Sequence, residues 1–281
     1  METTTEIKQM VRERYGKIAQ QDKSSNESSC CGSGCCSVET SNIMNDSYTQ
    51  LEGYVEDADL GLGCGLPTQF ANIKAGDVVV DLGSGAGNDA FIARHETGDT
   101  GKVIGIDFTP SMIELAEKNR KVRGFNNVEF KLGDIENIPL SKNSVDVVVS
   151  NCVLNLVPNK RKVFSEIFRI LKPGGHFSIS DIVLVGYLPE KIRSAAEMYA
   201  GCVSGAIQKE EYLQLIEDSG FMNITIQKEK KIAIPDDILK DYLDAQEIAE
   251  FREKGAGIYS ITVYGEGSCC GPFAVSCDVK C

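Results

Sequence analysis

Short apolar, β-branched runs recur along the middle of the chain, and the stretches between them carry apolar positions at a helical period. Runs of this length that are bounded by turn residues predict β-strands, whereas the periodic stretches predict helices. The predicted strands occupy residues 77–82, 102–107, 128–132, 145–151, 176–185, 224–232 and 258–264. Because strands and helices alternate, the pattern predicts an α/β protein with a doubly wound, mostly parallel sheet.

The helix signals are consistent with this alternation. One apolar face marks a first predicted helix, with residues Ile7, Met10, Val11, Tyr15 and Ile18. Further helices are predicted over 111–122, from about 159 to the turn at 172–175, and near 189–201, 209–219 and 235–250.

The composition divides the chain into four predicted parts. Residues 1–47 hold the first helix and an arm rich in Ser, Asn, Asp and Cys, which has little to pack and is expected to be mobile. Residues 48–186 form the predicted core, 187–265 a smaller C-terminal α+β subdomain, and 266–281 a loose, Cys-rich tail.

Charge and hydropathy exclude several classes of function. The 29 Lys and Arg against 41 Asp and Glu leave a net charge of −12, so no positive field attracts nucleic acid. The longest apolar runs, such as 145–149, fall far short of the roughly 20 residues that span a membrane. The first residues, METTTE, lack a basic leader and a following apolar stretch, which predicts a cytoplasmic protein without a secretory signal. These patterns do not encode the oligomeric state, for which a monomer is the simplest expectation.

Cysteine usage is the abnormal feature of the composition. The 11 cysteines fall into three groups. Four lie in the arm (Cys30, Cys31, Cys35 and Cys36), four in the tail (Cys269, Cys270, Cys277 and Cys281) and three inside (Cys64, Cys152 and Cys202). A reducing cytosol would keep most of them as thiols, so thiol chemistry is expected.

A glycine-rich loop follows the first predicted strand. The run DLGSGAGND at positions 81–89 brings bare backbone N–H groups to the carboxyl end of that strand, where open α/β sheets bind ligands. Its G-x-G-x-G spacing differs from the G-x-G-x-x-G that holds a pyrophosphate. Asp107 closes the second strand, where its carboxylate can accept hydrogen bonds from two ribose hydroxyls. Asp134 follows the third strand and is placed to receive an adenine amino group.

These features in order, together with LKPGG at 171–175, resemble the class I S-adenosylmethionine-dependent methyltransferases. The resemblance implies a Rossmann-like sheet and a pocket for S-adenosylmethionine. The predicted pocket residues are Asp81, Gly83, Ser84, Gly85, Gly87, Asp107, Phe108, Met112, Asp134, Ile135 and Asn151. Three plainer interpretations stay open: a tight turn for the glycine loop, a carboxylate near a helix cap for Asp107, and a turn residue for Asp134.

A cysteine stands where the methyl acceptor should bind. The acceptor is expected just beyond the fourth strand, because in-line transfer needs the nucleophile about 3 Å from the methyl group. That strand ends in SNCVLNL at 150–156, without the Asn/Asp-Pro-Pro-aromatic run that is usual in amino-group methyltransferases. Thiolates select soft, thiophilic centres. Trivalent arsenic fits this description, and its lone pair can attack a methyl group without a general base.

The plainer interpretation is that the inner cysteines only pack. Cys152 and Cys202 would then be small, buried core residues. Cys64 is harder to explain in this way, because its glycine-rich loop at 61–67 offers little to bury it.

Further motifs together resemble the arsenite methyltransferases. They are YGK at 15–17, the cysteine pairs of the arm, GLGCG at 61–65, the stretches 81–89 and 150–158, GCV at 201–203 and GIYSITVYG at 257–265. The resemblance covers about residues 11–265. It implies that Cys152 and Cys202 bind As(III), and that Cys64 is their third ligand and redox partner. It also implies that one of the four arm cysteines pairs with Cys64, although their duplication leaves open which one.

The implied reaction needs electrons as well as methyl groups. Methylation takes arsenic formally from the trivalent to the pentavalent state, and two electrons must return before another round. Vicinal thiols supply them by forming a disulfide, which thioredoxin or glutathione would reopen.

Other functions stay open at this point. One is methyl transfer to carbon or oxygen of another small molecule, and another is sequestration of metalloids without catalysis. The tail cysteines would scavenge arsenite, bind a metal or have no role, and their adjacent pairs lack the C-x₂-C spacing typical of zinc sites.

Overall fold

The computed structural model describes residues 4–21, 47–188, 192–193, 203, 205–234, 239–240, 243–253 and 255–268. The arm cysteines, Cys202, the tail cysteines and most of the helix predicted near 189–201 lie outside these residues.

All seven predicted strands are present and form one sheet. In chain order they are β1 (Val78–Leu82), β2 (Lys102–Asp107), β3 (Val128–Leu132), β4 (Val145–Asn151), β5 (Leu171–Val185), β6 (Phe221–Ile232) and β7 (Gly257–Gly267). Their order across the sheet is β3-β2-β1-β4-β5-β7-β6. The first five strands run parallel, whereas β7 runs antiparallel to both β5 and β6. The predicted α/β class with a mostly parallel sheet is confirmed.

The strand order reverses between β1 and β4. The chain builds outward from β1 to β3 and then returns to place β4 on the other side of β1, where Leu82 pairs with Ser150. Both strands are almost entirely buried, as expected for a sheet that is covered on both faces. The loops after β1 and β4 diverge at such a point and leave a crevice at the carboxyl edge of the sheet.

Several boundaries differ from the prediction. β5 begins at Leu171 rather than at 176, because Leu171 already pairs with Val145 across a register shift. β6 begins at Phe221 rather than at 224. β7 continues through Gly267, which pairs with Phe221, so residues 266 and 267, expected in the tail, belong to the sheet.

The last two strands extend the main sheet. β7 pairs with β5 from Glu266 opposite His176 to Gly257 opposite Val185. Val185 and Gly257 therefore lie side by side, and the chain between them contributes β6 to the edge of the same sheet.

Helices pack on the sheet. In chain order they are α1 (Thr4–Ile18), α2 (Pro67–Phe70), α3 (Asn88–Thr97), α4 (Pro110–Arg123), α5 (Lys160–Ile170), α6 (Lys209–Asp218) and α7 (Ala245–Glu253). Local signals fix their ends: Gly124 stops α4 with a φ of 69°, and the Asn159 side chain accepts the Lys162 N–H at the start of α5. None of the helices in the described ranges combines the length and hydropathy that a bilayer span requires.

The sheet separates two apolar layers. One contains Phe164, Phe177 and Tyr212, and the other is centred on Phe91. A third cluster contains Cys64, Cys152 and apolar residues from the second half of the chain, among them Ile182, Leu184, Ile232 and Ile258. The C-terminal part of the chain therefore covers two of the three inner cysteines.

Phe164 is central to the first layer, and we predict a large effect of its removal. Its ring centroid lies 5.6 Å from that of Tyr212 and 6.1 Å from that of Phe177. Phe164→Ala is expected to lower the free energy of unfolding by about 3–5 kcal/mol, because the lost contacts leave a cavity. Urea unfolding followed by circular dichroism measures this. Val122→Ala, at a position 74% exposed, should cost less than about 0.5 kcal/mol, and equal losses in both variants would contradict this packing.

Candidate active site

An open cavity lies in the crevice between β1 and β4. Its volume is about 1060 Å³ including its mouth. Ten of the predicted cofactor residues line it: Asp81, Gly83, Ser84, Gly85, Asp107, Phe108, Met112, Asp134, Ile135 and Asn151. Gly87 instead precedes α3, where a Cβ would meet the rings of Phe91 and Phe130 within 2.9 Å. Gly87 therefore permits close packing behind the loop.

The glycine loop turns sharply at the end of β1. Gly83 and Gly85 have φ angles of 71° and 51°, a region that favours glycine. The Gly83 N–H donates to the Ile106 carbonyl at 2.7 Å, and the Gly85 N–H donates to Asp107 Oδ2 at 3.0 Å. A Cβ on Gly85 would meet nothing within 4 Å, because this residue faces the cavity.

Buried carboxylates give the cavity a negative wall. Asp59, Asp81, Asp89 and Asp107 line it and are almost fully buried. Of the lining residues that the structure describes, only Lys8 carries a positive charge. Burial raises the pKa of Asp81 well above its ordinary value, and the charges of Asp89 and Asp107 raise it further. Burial also raises the pKa of Asp89, to about 6. A cation in the cavity would stabilise the ionised form of this wall.

The wall has the groups that S-adenosylmethionine requires. Five buried polar atoms of residues that line the cavity have no partner among the described residues: Asp81 Oδ2, Ser84 Oγ, Asn88 Oδ1, Asp89 Oδ1 and Thr109 Oγ1. Buried polar atoms normally form hydrogen bonds, so a ligand that supplies donors and acceptors would satisfy these atoms. S-adenosylmethionine carries a sulfonium, an ammonium and hydroxyl donors. These groups match the negative wall, and the open space in front of Gly85 admits them.

Asp107 and Asp134 already have protein partners. Asp107 Oδ1 accepts the Thr109 N–H at 2.8 Å, so this carboxylate also bonds to the residue that caps α4. Asp134 Oδ2 accepts a hydrogen bond from Lys8 Nζ at 2.6 Å. Burial acts to raise the pKa of Asp134, but hydrogen bonds from Lys8 and the Glu136 N–H outweigh it and lower the pKa. The ribose and adenine roles of the two carboxylates stay predictions.

Lys8 is a site residue that the sequence does not single out. Its ammonium contacts both Asp134 and Glu136, and Arg12, one turn further along α1, lies 5.4 Å from the centroid of the Phe108 ring. α1 therefore forms one wall of the cavity. The helical period predicted this helix, but no local signal tells where its polar side docks.

Cys152 lies at the end of β4, beside the glycine loop. Its φ of 60° is in the left-handed region, which costs a non-glycine residue about 1 kcal/mol or more. The Cys152 N–H donates to the Ser180 carbonyl at 2.8 Å. The next residue, Val153, packs so closely that a Cβ on Gly83 would lie 2.3 Å from it. Cys152 lines the cavity in this strained conformation.

Cys64 and Cys152 are joined in a disulfide. Their Cα atoms lie 5.8 Å apart, although 88 residues separate them along the chain. The sequence places both in one predicted arsenic site but predicts no bond between them. Cys64 is only 1% exposed. The expectation that little would bury it is wrong, because residues of β5 and β7 such as Ile182 and Ile258 pack in the same cluster.

The third predicted ligand, Cys202, lies outside the described residues, as do the four arm cysteines. Its neighbour in sequence, Val203, is buried in the cluster of Cys64 and Cys152. Gly205 packs on the chain that follows Cys152, where a Cβ would lie 1.9 Å from the Asn155 carbonyl oxygen. Within the described part of the chain, no three or more His, Cys, Asp or Glu side chains form a group that could hold a metal ion. The three-cysteine set and the pairing of Cys64 with the arm stay predictions.

A methyltransferase domain family matches residues 73–220, which contain β1 to β5 and the whole glycine loop. The chain belongs to the methyltransferase domain family. The cavity between β1 and β4 is therefore the expected donor site of a methyltransferase.

Relatives of this methyltransferase include two proteins named arsenite methyltransferase. That of Halobacterium salinarum is 41% identical over 234 residues, a match that covers 79% of this chain and 59% of that protein. That of Aquipseudomonas alcaligenes is 30% identical over 240 residues and is matched over 67% of its length, with 83% of this chain covered. The chain thus spans about three fifths to two thirds of these two relatives.

Two further proteins are similar. The demethylmenaquinone methyltransferase of Lactobacillus johnsonii is 30% identical over 216 residues, which cover 66% of this chain and 87% of that enzyme. Among solved structures, an arsenic(III) S-adenosylmethionine methyltransferase from Chlamydomonas reinhardtii superposes with a TM-score of 0.60 at 34% identity. That match covers 72% of this chain and 66% of the algal one. The Rossmann-like class I methyltransferase fold is confirmed.

The raised pKa of Asp89 predicts a pH-dependent stability. Because burial raises it to about 6, the folded state holds this proton more tightly than the unfolded chain, and stability is lost as pH rises from about 4 to 6.5. Asp89→Asn should remove about 1–3 kcal/mol of that decline. Urea unfolding of the cofactor-free protein across this pH range measures the difference between the two proteins.

Asp99→Asn is the matched control, since that side chain is 87% exposed. A decline in the Asp89→Asn protein as steep as in the wild type would show that Asp89 is not the group responsible.

Proposed function

We propose that this methyltransferase moves a methyl group from S-adenosylmethionine to trivalent arsenic held by cysteine thiolates. The observation that carries the proposal is the meeting of Cys64 and Cys152 beside a cavity with an acidic wall. The relatives named arsenite methyltransferase support the same substrate.

On the donor side, S-adenosylmethionine supplies an electrophilic methyl group attached to a positively charged sulfur. The residues of the chain bind and orient this donor. Asp81, Asp89 and Asp107 offset positive charge, and their own burial costs less when a cation is near. The bare backbone of Gly85 lets a ligand approach closely.

On the acceptor side, the cysteines supply soft donors. Cys152 lines the cavity and Cys64 is its bonded neighbour. Cys202 is the proposed third ligand, and the burial of the adjacent Val203 in the same cluster supports this assignment. Three thiolates favour a thiophilic centre over hard cations such as Mg²⁺.

The proposed transfer needs no general base. The lone pair of thiolate-bound arsenic forms the new As–C bond while the donor's C–S bond breaks, and arsenic becomes formally pentavalent. Two electrons then return to arsenic from a pair of thiols, which becomes a disulfide. In this reaction the buried carboxylates therefore only compensate the positive charge of the donor.

The disulfide of Cys64 and Cys152 is the oxidised form of two proposed ligands. A disulfide offers no thiolate, so both sulfurs can bind arsenic only after a two-electron reduction. A thiol reductant such as thioredoxin or glutathione would supply these electrons, with an arm cysteine as relay through Cys64. A cytoplasmic location, where such reductants are abundant, is part of this proposal.

Methyl transfer to carbon is the second candidate. The observation in its favour is the match to a demethylmenaquinone methyltransferase over 87% of that enzyme. The cysteine pair favours arsenic, because a purely packing role does not require two cysteines within bonding distance beside the donor cavity.

Gly85→Ala tests the donor site. The added Cβ would project into the cavity, so the affinity for S-adenosylhomocysteine is expected to fall at least about tenfold. Gly174→Ala is the matched control: it also has a positive φ, 78°, and nothing within 4 Å, but it is exposed to solvent. Isothermal titration calorimetry measures both affinities, and equal values would refute the assignment of this cavity to the cofactor.

Cysteine substitutions test the acceptor. Purified protein is incubated with arsenite, labelled S-adenosylmethionine and a dithiol, and the arsenic species are separated. Wild type should yield methylated arsenic, whereas Cys152→Ser and Cys202→Ser should each lose about 100-fold or more in rate, because their ligand set is incomplete.

In both variants the affinity for S-adenosylhomocysteine should stay within about threefold of the wild-type value. Cys281→Ser, in the tail, is the control for the loss of a thiol at any position. Methylation of arsenite by Cys152→Ser at the wild-type rate would eliminate the thiolate site. Methylation of a quinol in place of arsenite by the wild type would favour the second candidate.

A further inference from the structure

Tyr48 is buried at the junction of the cavity wall and the loop that carries Cys64. Only 7% of it is exposed, and its ring packs against Leu66 and Ile92. Its hydroxyl lies 2.9 Å from Asp89 Oδ2 and also contacts the Asn151 side-chain amide. None of the sequence motifs described above includes this tyrosine.

Tyr48, Asp89 and Asn151 form one hydrogen-bonded group with the loop that carries Cys64. The Tyr48 hydroxyl has a single proton and two acceptors within reach, Asp89 Oδ2 at 2.9 Å and the Gly65 carbonyl at 3.1 Å, of which the carboxylate is the stronger. The two N–H donors of the Asn151 amide have three acceptors within reach: the Tyr48 oxygen, the Gly65 carbonyl at 2.8 Å and Asp89 Oδ2 at 3.2 Å. The remaining Asn151 oxygen accepts the Cys64 N–H at 3.1 Å. A continuous chain of hydrogen bonds thus runs from Asp89 to the backbone of Cys64.

The loop that carries Cys64 also packs tightly against the side chains of Tyr48 and Asn151. A Cβ on Gly63 would lie 2.9 Å from Asn151 Nδ2 and 3.0 Å from the Tyr48 hydroxyl oxygen. On its other side, the Cys64 carbonyl accepts a hydrogen bond from Ser260. The loop is therefore clamped between Tyr48 and β7, with little freedom to shift.

We propose that Tyr48 is a positioning residue, which fixes Cys64 relative to the methyl-donor cavity by tying Asn151 to Asp89. The proposal rests on the proposed function, in which Cys64 is an arsenic ligand. In-line transfer is sensitive to displacements of about 1 Å, so the ligand sulfurs need a rigid support. Tyr48 supplies it from a segment that contributes no ligand itself.

Tyr48→Phe isolates this role. The variant keeps the ring and its packing but removes the hydroxyl, so Asp89 loses a donor and Asn151 loses an acceptor inside the protein. The loop should then open locally more often. The matched control is Tyr259→Phe, whose hydroxyl bonds to the Gly255 carbonyl at 3.0 Å in an exposed position.

The first measurement needs no substrate. Cofactor-free protein is treated with dithiothreitol, and reduction of the Cys64–Cys152 disulfide is followed by alkylation and mass spectrometry. Reduction requires access to two buried sulfurs, so Tyr48→Phe should be reduced about tenfold faster than Tyr259→Phe, whose rate should match the wild type. Equal rates in the two variants would overturn the proposal.

The second measurement separates positioning from cofactor binding. For Tyr48→Phe, kcat/KM for arsenite should fall about tenfold or more, whereas KM for S-adenosylmethionine and the affinity for S-adenosylhomocysteine should stay within about threefold. A parallel fall in cofactor affinity would make Tyr48 a cofactor-binding residue and refute the positioning role. If the wild type does not methylate arsenite, the proposed function fails, but the disulfide and cofactor measurements still decide the placement of Cys64.

Asn151→Ala breaks the same chain of hydrogen bonds one step closer to Cys64. It should accelerate reduction of the disulfide at least as much as Tyr48→Phe does, and it replaces that variant if the latter does not fold. Reduction of Asn151→Ala at the wild-type rate would also contradict the proposal.

Discussion

The parallel pairing of β1 with β4 fixes the geometry of the candidate site. Leu82 lies opposite Ser150 in this pairing, so the chain emerges from both strands at the same edge of the sheet. The glycine loop and Cys152 follow within two residues of these positions, and Val153 packs directly against Gly83. The donor wall and the cysteine are thus set by the hydrogen bonds of the sheet, which are stiffer than contacts between two loops.

A second constraint is the burial of negative charge. Burial disfavours ionisation of Asp81 in the cofactor-free protein, and the charges of Asp89 and Asp107 disfavour it further. Hydrogen bonds from Tyr48 and Asn151 to Asp89 offset part of the cost that burial imposes on Asp89 itself. Preorganised charge of this kind lowers the stability of the fold in the absence of the ligand. Binding of a cation restores that stability, so stability and function are linked through the same side chains.

Most of the sheet could be predicted from sequence because its strands are short, apolar and separated by clear helix signals. The glycine loop and Asp107 could also be predicted, because the loop directly follows a strand and Asp107 ends one. The disulfide could not be predicted, because Cys64 and Cys152 meet only through the order of the strands, at a sequence separation of 88.

The remaining misses have the same origin. Lys8 and Tyr48 act through long-range contacts that leave no periodic or motif signal, although both line the cavity. Gly87 shows the converse case, since it belongs to a motif but packs against rings instead of facing the ligand. Val185 and Gly257 are paired on β5 and β7, so the segment between them, which contributes α6, β6 and α7, starts and finishes side by side. Because the β5–β7 pairing holds these ends together, a change in the length of the connections inside the segment costs the rest of the fold little entropy, whereas β6 and α6 must keep their places in the sheet and in its first apolar layer.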